Sequence, residues 1–147
     1  MVVSGRMTHH YDGELVVFLI GMTINKFWRP DLWLPVLRAM PTMLRELGEA
    51  EDSGLLGHRL MLEGPHPTVV QYWNSLEKLY EYAAAPHAGH WPAWKAFNRR
   101  AVRAADAVGI WHETYLSRYA ETVYVNTPRL GLGRCTELVP VADKPRA

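Results

Sequence analysis

The stretch Leu15-Val16-Val17-Phe18-Leu19-Ile20-Gly21-Met22-Thr23-Ile24-Asn25 decides the fold, because it is rich in β-branched and aromatic residues and is apolar on both faces. Such a strand needs a cover on each side. Helices of a chain of this size can cover one face of the sheet, so we expect the other face to meet a second sheet, most simply that of an identical subunit. The stretch therefore predicts a central strand in a homodimer.

An amphipathic helix and a hairpin follow this strand. Apolar residues recur at the spacing of one helical face, namely Trp33, Leu37, Met40, Leu44 and Leu47. Asp31 is expected to cap the helix, and Pro35 and Pro41 suggest a late start or a kink. Residues 55–62 and 68–73 read as two strands joined by the turn Gly64-Pro65-His66-Pro67, so they predict a hairpin.

The remaining elements complete a recognisable order. Two helices are predicted after Ser75 and across residues 87–104, and Val108-Gly109-Ile110-Trp111-His112-Glu113-Thr114-Tyr115 predicts a closing strand. Strand, helix, hairpin, helices and strand make the split βαβ pattern called ferredoxin-like, an α+β fold with an antiparallel sheet and helices on one face. We interpret residues 1–147 as one such domain, with an N-terminal arm at 1–13, a core at 14–120 and a C-terminal arm at 121–147.

Composition excludes several functional classes. The 147 residues include 16 Lys and Arg against 15 Asp and Glu, and these charges are interspersed, so neither nucleic acid nor an anionic membrane is an expected partner. Cys135 is the single cysteine, which precludes an internal disulfide and fits a reducing cytosol. The start of the chain is unlike a signal peptide, and the apolar run 15–22 is too short to span a bilayer. We expect a cytoplasmic protein without a metal site.

Several segments also resemble a known family across nearly the whole chain. They are residues 17–26 (VFLIGMTINK), 33–36 (WLPV), 40–41 (MP), 55–57 (LLG), 71–73 (QYW), 92–98 (PAWKAFN), 109–115 (GIWHETY) and 131–133 (GLG), together with Asn126 and Pro128. The chain thereby resembles a monooxygenase-like family, formerly a domain of unknown function, whose members are similar to an antibiotic-biosynthesis-type monooxygenase of the fungal fumagillin pathway. The resemblance implies a dimeric α/β barrel, in which two ferredoxin-like subunits pair their sheets and each keeps a pocket between its sheet and its helices.

Three polar residues are candidates for catalysis. Asn25 ends the first strand, where the resemblance implies contact with substrate or oxygen; capping of the strand end is the structural alternative. His90 lies at a helix start and could act as a base or, following haem-binding relatives, as an axial haem ligand; the structural alternative, more common for a single histidine beside tryptophans, is a hydrogen-bonded packing residue. His112 and Glu113 alternate along one strand, so only one of them can face the pocket, and we favour His112.

Aromatic side chains are the candidates for substrate binding. They are Phe18, Tyr72, Trp73, Trp94, Trp111 and Tyr115. Together they could line a flat apolar cavity for an aromatic or polyketide-like molecule, and the alternative is an ordinary aromatic core.

The resulting functional hypothesis is a small homodimeric oxidoreductase of the monooxygenase type. It would bind a hydrophobic organic substrate without requiring a cofactor, and a histidine would remove a proton from that substrate. Two alternatives remain open: a haem enzyme of the same fold, with iron bound by His90 or His112, and a non-catalytic protein that binds a hydrophobic metabolite.

Overall fold

A computed structural model describes residues 1–84, 92–104 and 106–144. In chain order the elements are β1 (Val2–His10), β2 (Leu15–Ile24), α1 (Pro30–Glu49), β3 (Leu55–Glu63), β4 (His66–Trp73), α2 (Leu76–Ala84), α3 (Pro92–Arg103), β5 (Val108–Ser117), β6 (Tyr124–Pro128), α4 (Leu132–Cys135) and β7 (Glu137–Pro140), followed by a 3-10 helix at Val141–Asp143.

The main sheet has four strands in the order β3-β4-β2-β5, and every neighbouring pair is antiparallel. Strand β2 lies between β4 and β5, as expected for its two apolar faces. This strand order, with helices inserted after β2 and after β4, is that of the ferredoxin-like split βαβ fold. The predicted α+β fold class is confirmed.

One face of the main sheet packs on the helices. The residues of β2 with even numbers, Val16, Phe18, Ile20, Met22 and Ile24, point to this face and are at most 6% exposed. They meet the buried side of α1, which consists of Val36, Ala39, Met40, Met43, Leu44 and Leu47. We call this side of the sheet the helical face.

Helix α1 begins earlier than its prolines suggest. Pro30 occupies its first turn, where a missing N–H costs no hydrogen bond, and the helix continues through Pro35 and Pro41 to Glu49. Asp31 does not cap the helix. Its carboxylate accepts hydrogen bonds from the Arg29 guanidinium at 2.9 and 2.7 Å instead. The expected late start and the Asp31 cap are therefore wrong, whereas a kink, the other expectation from the prolines, stays a prediction.

The hairpin between β3 and β4 turns through Gly64 and Pro65, since Glu63 pairs with His66. Gly64 has a φ of 58°, which favours glycine, and Pro65 supplies the negative φ that follows. This turn is tighter than the predicted one, because His66 and Pro67 already belong to β4.

The two terminal segments form a second sheet of their own. Strand β1 lies between β6 and β7 and is antiparallel to both, so the predicted N-terminal and C-terminal arms pair with each other. Short helix α4 leads into β7, and its Leu132 packs with Leu15, Val70 and Tyr72 on the face of the main sheet opposite the helices. We call this side the arm face.

No helix in the described part of the chain combines the length and the apolar character that crossing a membrane would require.

Candidate functional site

Strand pairing decides which way His112 and Glu113 point. His112 is opposite Ile20 of β2 and Glu113 is opposite Leu19. Because directly paired residues share a face, His112 lies on the helical face and Glu113 on the arm face. The His112 ring lies 5.7 Å from the Phe18 ring, centroid to centroid. On the arm face, the Tyr115 hydroxyl donates to Glu113 Oε2 at 2.7 Å, and this bond raises the pKa of the Tyr115 phenol.

Asn25 lies on the other face from His112. Its backbone N–H donates to the Ala107 carbonyl at 2.9 Å, which ties the end of β2 to the start of β5. Its side-chain Nδ2 lies 3.6 Å from the position that a Cβ atom on Gly109 would take, beside Thr23 on the arm face. The structure therefore does not bring Asn25 and His112 together.

The third catalytic candidate, His90, lies outside the described residues. Trp94 belongs to α3, and its side chain also lies outside what is described.

The other five aromatic candidates are divided between the two faces, so they do not line one cavity. Phe18 and Trp73 belong to the core on the helical face, whereas Tyr72 packs on the arm face. Trp111 and Tyr115 pair with Gly21 and Val17, which also places them on the arm face. Trp73 is fully buried, and its Nε1–H donates to Gln71 Oε1 at 2.9 Å. For Trp73 the structure shows an ordinary core position, which offers no surface to a ligand.

A cleft of about 630 Å³ lies between α1 and strands β3 and β4. Its apolar walls come from Leu37, Met40, Pro41, Leu44, Leu60, Pro67 and Val69, and its polar groups from His58 and the arginines Arg45, Arg59 and Arg134. This volume is within the range of small-molecule sites, and an apolar lining with a few polar groups is typical of them.

The cleft is electrostatically positive. Among the described residues, the ion pairs involve Asp12, Asp31 and Asp52, and none of these carboxylates pairs with an arginine of the cleft. The pKa of His58 lies below its ordinary value of 6.5, because the surrounding protein removes water from the imidazole and because Arg134 repels a second positive charge. His58 is therefore neutral at neutral pH and can accept a proton.

Sequence reasoning missed these polar groups for a physical reason. Arg45 comes from α1, His58 and Arg59 from β3, and Arg134 from α4, so no local motif joins them. The available signal was that His58 and Leu60 share one face of a predicted strand, which follows an amphipathic helix.

Gln71 is a second polar residue that the sequence did not single out. It is fully buried on the helical face, paired across the sheet with His58 on one side and Phe18 on the other. Its Oε1 accepts from Trp73, but its Nε2 has no hydrogen-bond partner within the described structure. A buried donor without a partner costs about 1–3 kcal/mol, which makes Gln71 unusual for a purely structural residue.

No group of three or more potential metal ligands occurs in the described residues. The haem hypothesis stays a prediction: of its two candidate ligands, His112 is exposed on β5 and His90 is not described.

Comparison with known proteins gives a match to one protein family. The model of the family described as Monooxygenase af470-like matches residues 15–132. None of the curated proteins matches the chain significantly.

Solved structures of similar shape share little sequence with the chain. A mutant of SnoaB, a cofactor-independent oxygenase from Streptomyces nogalater, is 14% identical and has a TM-score of 0.48, covering 72% of this chain and 95% of its own. A candidate antibiotic biosynthesis monooxygenase from Caulobacter crescentus is 12% identical, with a TM-score of 0.48 and coverage of 71% and 92%. A dimeric ferredoxin-like protein from an uncultured marine organism is 10% identical, with a TM-score of 0.45 and coverage of 74% and 99%.

Proposed function

Because the chain belongs to the Monooxygenase af470-like family, we propose that it is an oxygenase that acts on a small hydrophobic substrate in the cleft between α1 and strands β3 and β4. The observation that carries this proposal is the combination, in one apolar cleft, of a neutral histidine and three arginines that form no ion pair with a carboxylate of the described residues. The arrangement suits a substrate that becomes an anion during the reaction.

The chemistry needs a base and a stabilised anion. His58 removes a proton from an activated C–H group, and the carbanion that forms is delocalised as an enolate onto a neighbouring oxygen. Arg45, Arg59 and Arg134 line the same cleft and stabilise that negative charge.

Dioxygen then accepts the electrons of the carbanion, and a C–O bond forms to give a peroxide anion. The protonated His58 returns its proton, and the hydroperoxide loses water to leave a carbonyl group. The sum is R₂CH₂ + O₂ giving R₂C=O + H₂O, so the substrate supplies all four electrons. An aromatic or polyketide-like molecule with an enolisable CH₂ group satisfies these requirements, and no other reductant is needed.

Oxygen uptake with anthrone as the probe substrate tests this function. His58→Gln should lower the uptake rate by about 100-fold, the lower end of what a general base contributes. His112→Gln is the matched control, because it removes a histidine from the same face of the sheet but outside the cleft. If His112→Gln abolishes uptake and His58→Gln does not, the proposed base is refuted in favour of His112. Tight anthrone binding without oxygen uptake would instead support a non-catalytic binding protein.

We also propose the homodimer, formed through the uncovered part of the arm face. Met61 at one edge of the main sheet and Tyr115 at the other point to this face and are 48% and 53% exposed. A second copy of the chain would cover them sheet to sheet. Sedimentation equilibrium should give twice the chain mass, and Tyr115→Arg should shift the equilibrium to monomer; a wild-type protein that stays monomeric at high concentration would refute the dimer.

A further inference from the structure

A second cavity, of about 370 Å³, lies on the arm face, between the main sheet and the segment that follows β5. Leu15 and Val17 form its apolar wall on the sheet side, and Val123 and Leu130 contribute from the other side. It is separated from the cleft under α1 by the sheet itself. Among the described residues, Arg59 on the edge strand β3 lines both cavities.

Three polar groups that line this cavity lie close to Gly131. The position that a Cβ atom on Gly131 would take lies 3.4 Å from Arg59 Nη1, 3.4 Å from the Tyr72 hydroxyl and 3.6 Å from the Tyr124 hydroxyl. Gly131 has a φ of 53° and a ψ of −138°, a conformation essentially restricted to glycine. The backbone conformation therefore favours glycine at this position, and the three polar groups lie around it.

All three groups can donate a hydrogen bond. Burial raises the pKa of the Tyr72 phenol, which is therefore protonated at neutral pH. The Tyr124 oxygen accepts from the Gly133 N–H at 3.0 Å, so its own proton is available for another partner. Arg59 forms no ion pair with a carboxylate of the described residues, and its Nε is buried without a hydrogen-bond partner.

We propose that this cavity binds a small monocarboxylate with an apolar body. Arg59, Tyr72 and Tyr124 would hold the carboxylate beside Gly131, because one guanidinium and two phenols supply donors and a positive charge without a competing acceptor. The apolar wall would hold the body, and the volume accommodates a molecule about the size of a substituted benzoate. This site lies on the opposite face of the sheet from the proposed oxygenase cleft, shares Arg59 with it and does not depend on oxygenase activity.

Calorimetric titration with benzoate tests the proposal, with benzamide as the neutral control. Benzoate should bind saturably at neutral pH and benzamide should not. Tyr72→Phe should weaken benzoate binding about tenfold or more, since it removes one hydrogen bond to a charged ligand and keeps the aromatic ring. Tyr124→Phe should have a similar effect, although it also removes the partner of the Gly133 N–H, so Tyr72→Phe is the decisive variant.

A variant in the cleft under α1 shows which of the two cavities benzoate occupies. Arg45→Gln should leave benzoate binding unchanged, because Arg45 lines only the cleft under α1. Benzoate binding that is lost in Arg45→Gln and kept in Tyr72→Phe would overturn the proposal, because the probe would then occupy the oxygenase cleft. The absence of saturable benzoate binding to the wild-type protein, or equal binding of benzamide, would overturn it as well.

Discussion

Replacing Thr122 with valine should weaken the link between β1 and the segment before β6. The Thr122 hydroxyl contacts three groups: it accepts from the His9 backbone N–H at 3.0 Å and lies 2.8 Å from His9 Nδ1 and 3.3 Å from Thr8 Oγ1. His9 and Thr8 are 5% and 2% exposed, so little water reaches these contacts. Valine keeps the shape of threonine and removes the hydroxyl.

The expected loss of stability follows from the buried groups that lose their hydrogen-bond partner. The His9 N–H and His9 Nδ1 would both be left buried without a hydrogen bond, and each such group costs about 1–3 kcal/mol. The free energy of unfolding should therefore fall by about 2–6 kcal/mol in Thr122→Val. Urea denaturation followed by circular dichroism measures this difference.

A matched control is available in the strand that follows Thr122. Thr127 lies in β6 and is also partly buried, but its hydroxyl makes no hydrogen bond to the described residues, so Thr127→Val should change stability by less than about 0.5 kcal/mol. If the two valine variants have equal stability, the Thr122 hydroxyl does not hold β1, and the reasoning is refuted.

Three further predictions concern other parts of the chain. The free energy of unfolding should fall as pH decreases below 6.5, because burial and the charges of Lys144 and His10 lower the pKa of His9 in the folded protein. The unfolded chain therefore binds a proton at His9 more readily than the folded chain does. Urea denaturation at a series of pH values should show a smaller loss of stability in His9→Gln, and an equal loss would exclude His9 as the cause. Glu113→Gln should lower the pKa of Tyr115 in a spectrophotometric titration, since the carboxylate holds the phenolic proton, whereas an unchanged pKa would mean that the bond is absent in solution. Leu47→Ala should cost about 2–5 kcal/mol in urea denaturation because Leu47 is fully buried; a cost below about 1 kcal/mol would contradict its core position.

The haem hypothesis predicts a Soret band when haem is added to the purified protein, and loss of that band in His90→Ala or His112→Ala. The absence of a band with haem present would end this hypothesis.

The candidate site was only partly predictable. The sequence favours His112 over Glu113 as the residue that faces the helices, and His112 lies on that face. The alternation of side chains along β5, however, shows only that the two residues point in opposite directions. The choice between the two faces needed the pairing of β5 with β2, a contact between segments about 90 residues apart. The cationic groups of the cleft were not predictable at all, because three separate elements bring them together.

The sequence by itself determined the strands of the main sheet, the helices that pack on it and their order, but not the strands formed by the two ends of the chain. The apolar faces of β2, the helical spacing in α1 and the turn at Gly64 are local patterns, and local patterns follow from the geometry of a strand, a helix or a turn. Their order was sufficient to predict the ferredoxin-like sheet.

Only the tertiary structure decided what lies against each face. The pairing of β1 with β6 and β7 joins the two ends of the chain, and it places Tyr124 and Gly131 beside Tyr72 and Arg59. Such contacts depend on packing between distant parts of the chain, and the hydrophobic periodicity of a short segment does not reveal them. For the same reason, the tertiary structure divided the predicted aromatic pocket between two faces and placed the cleft with His58 beneath α1.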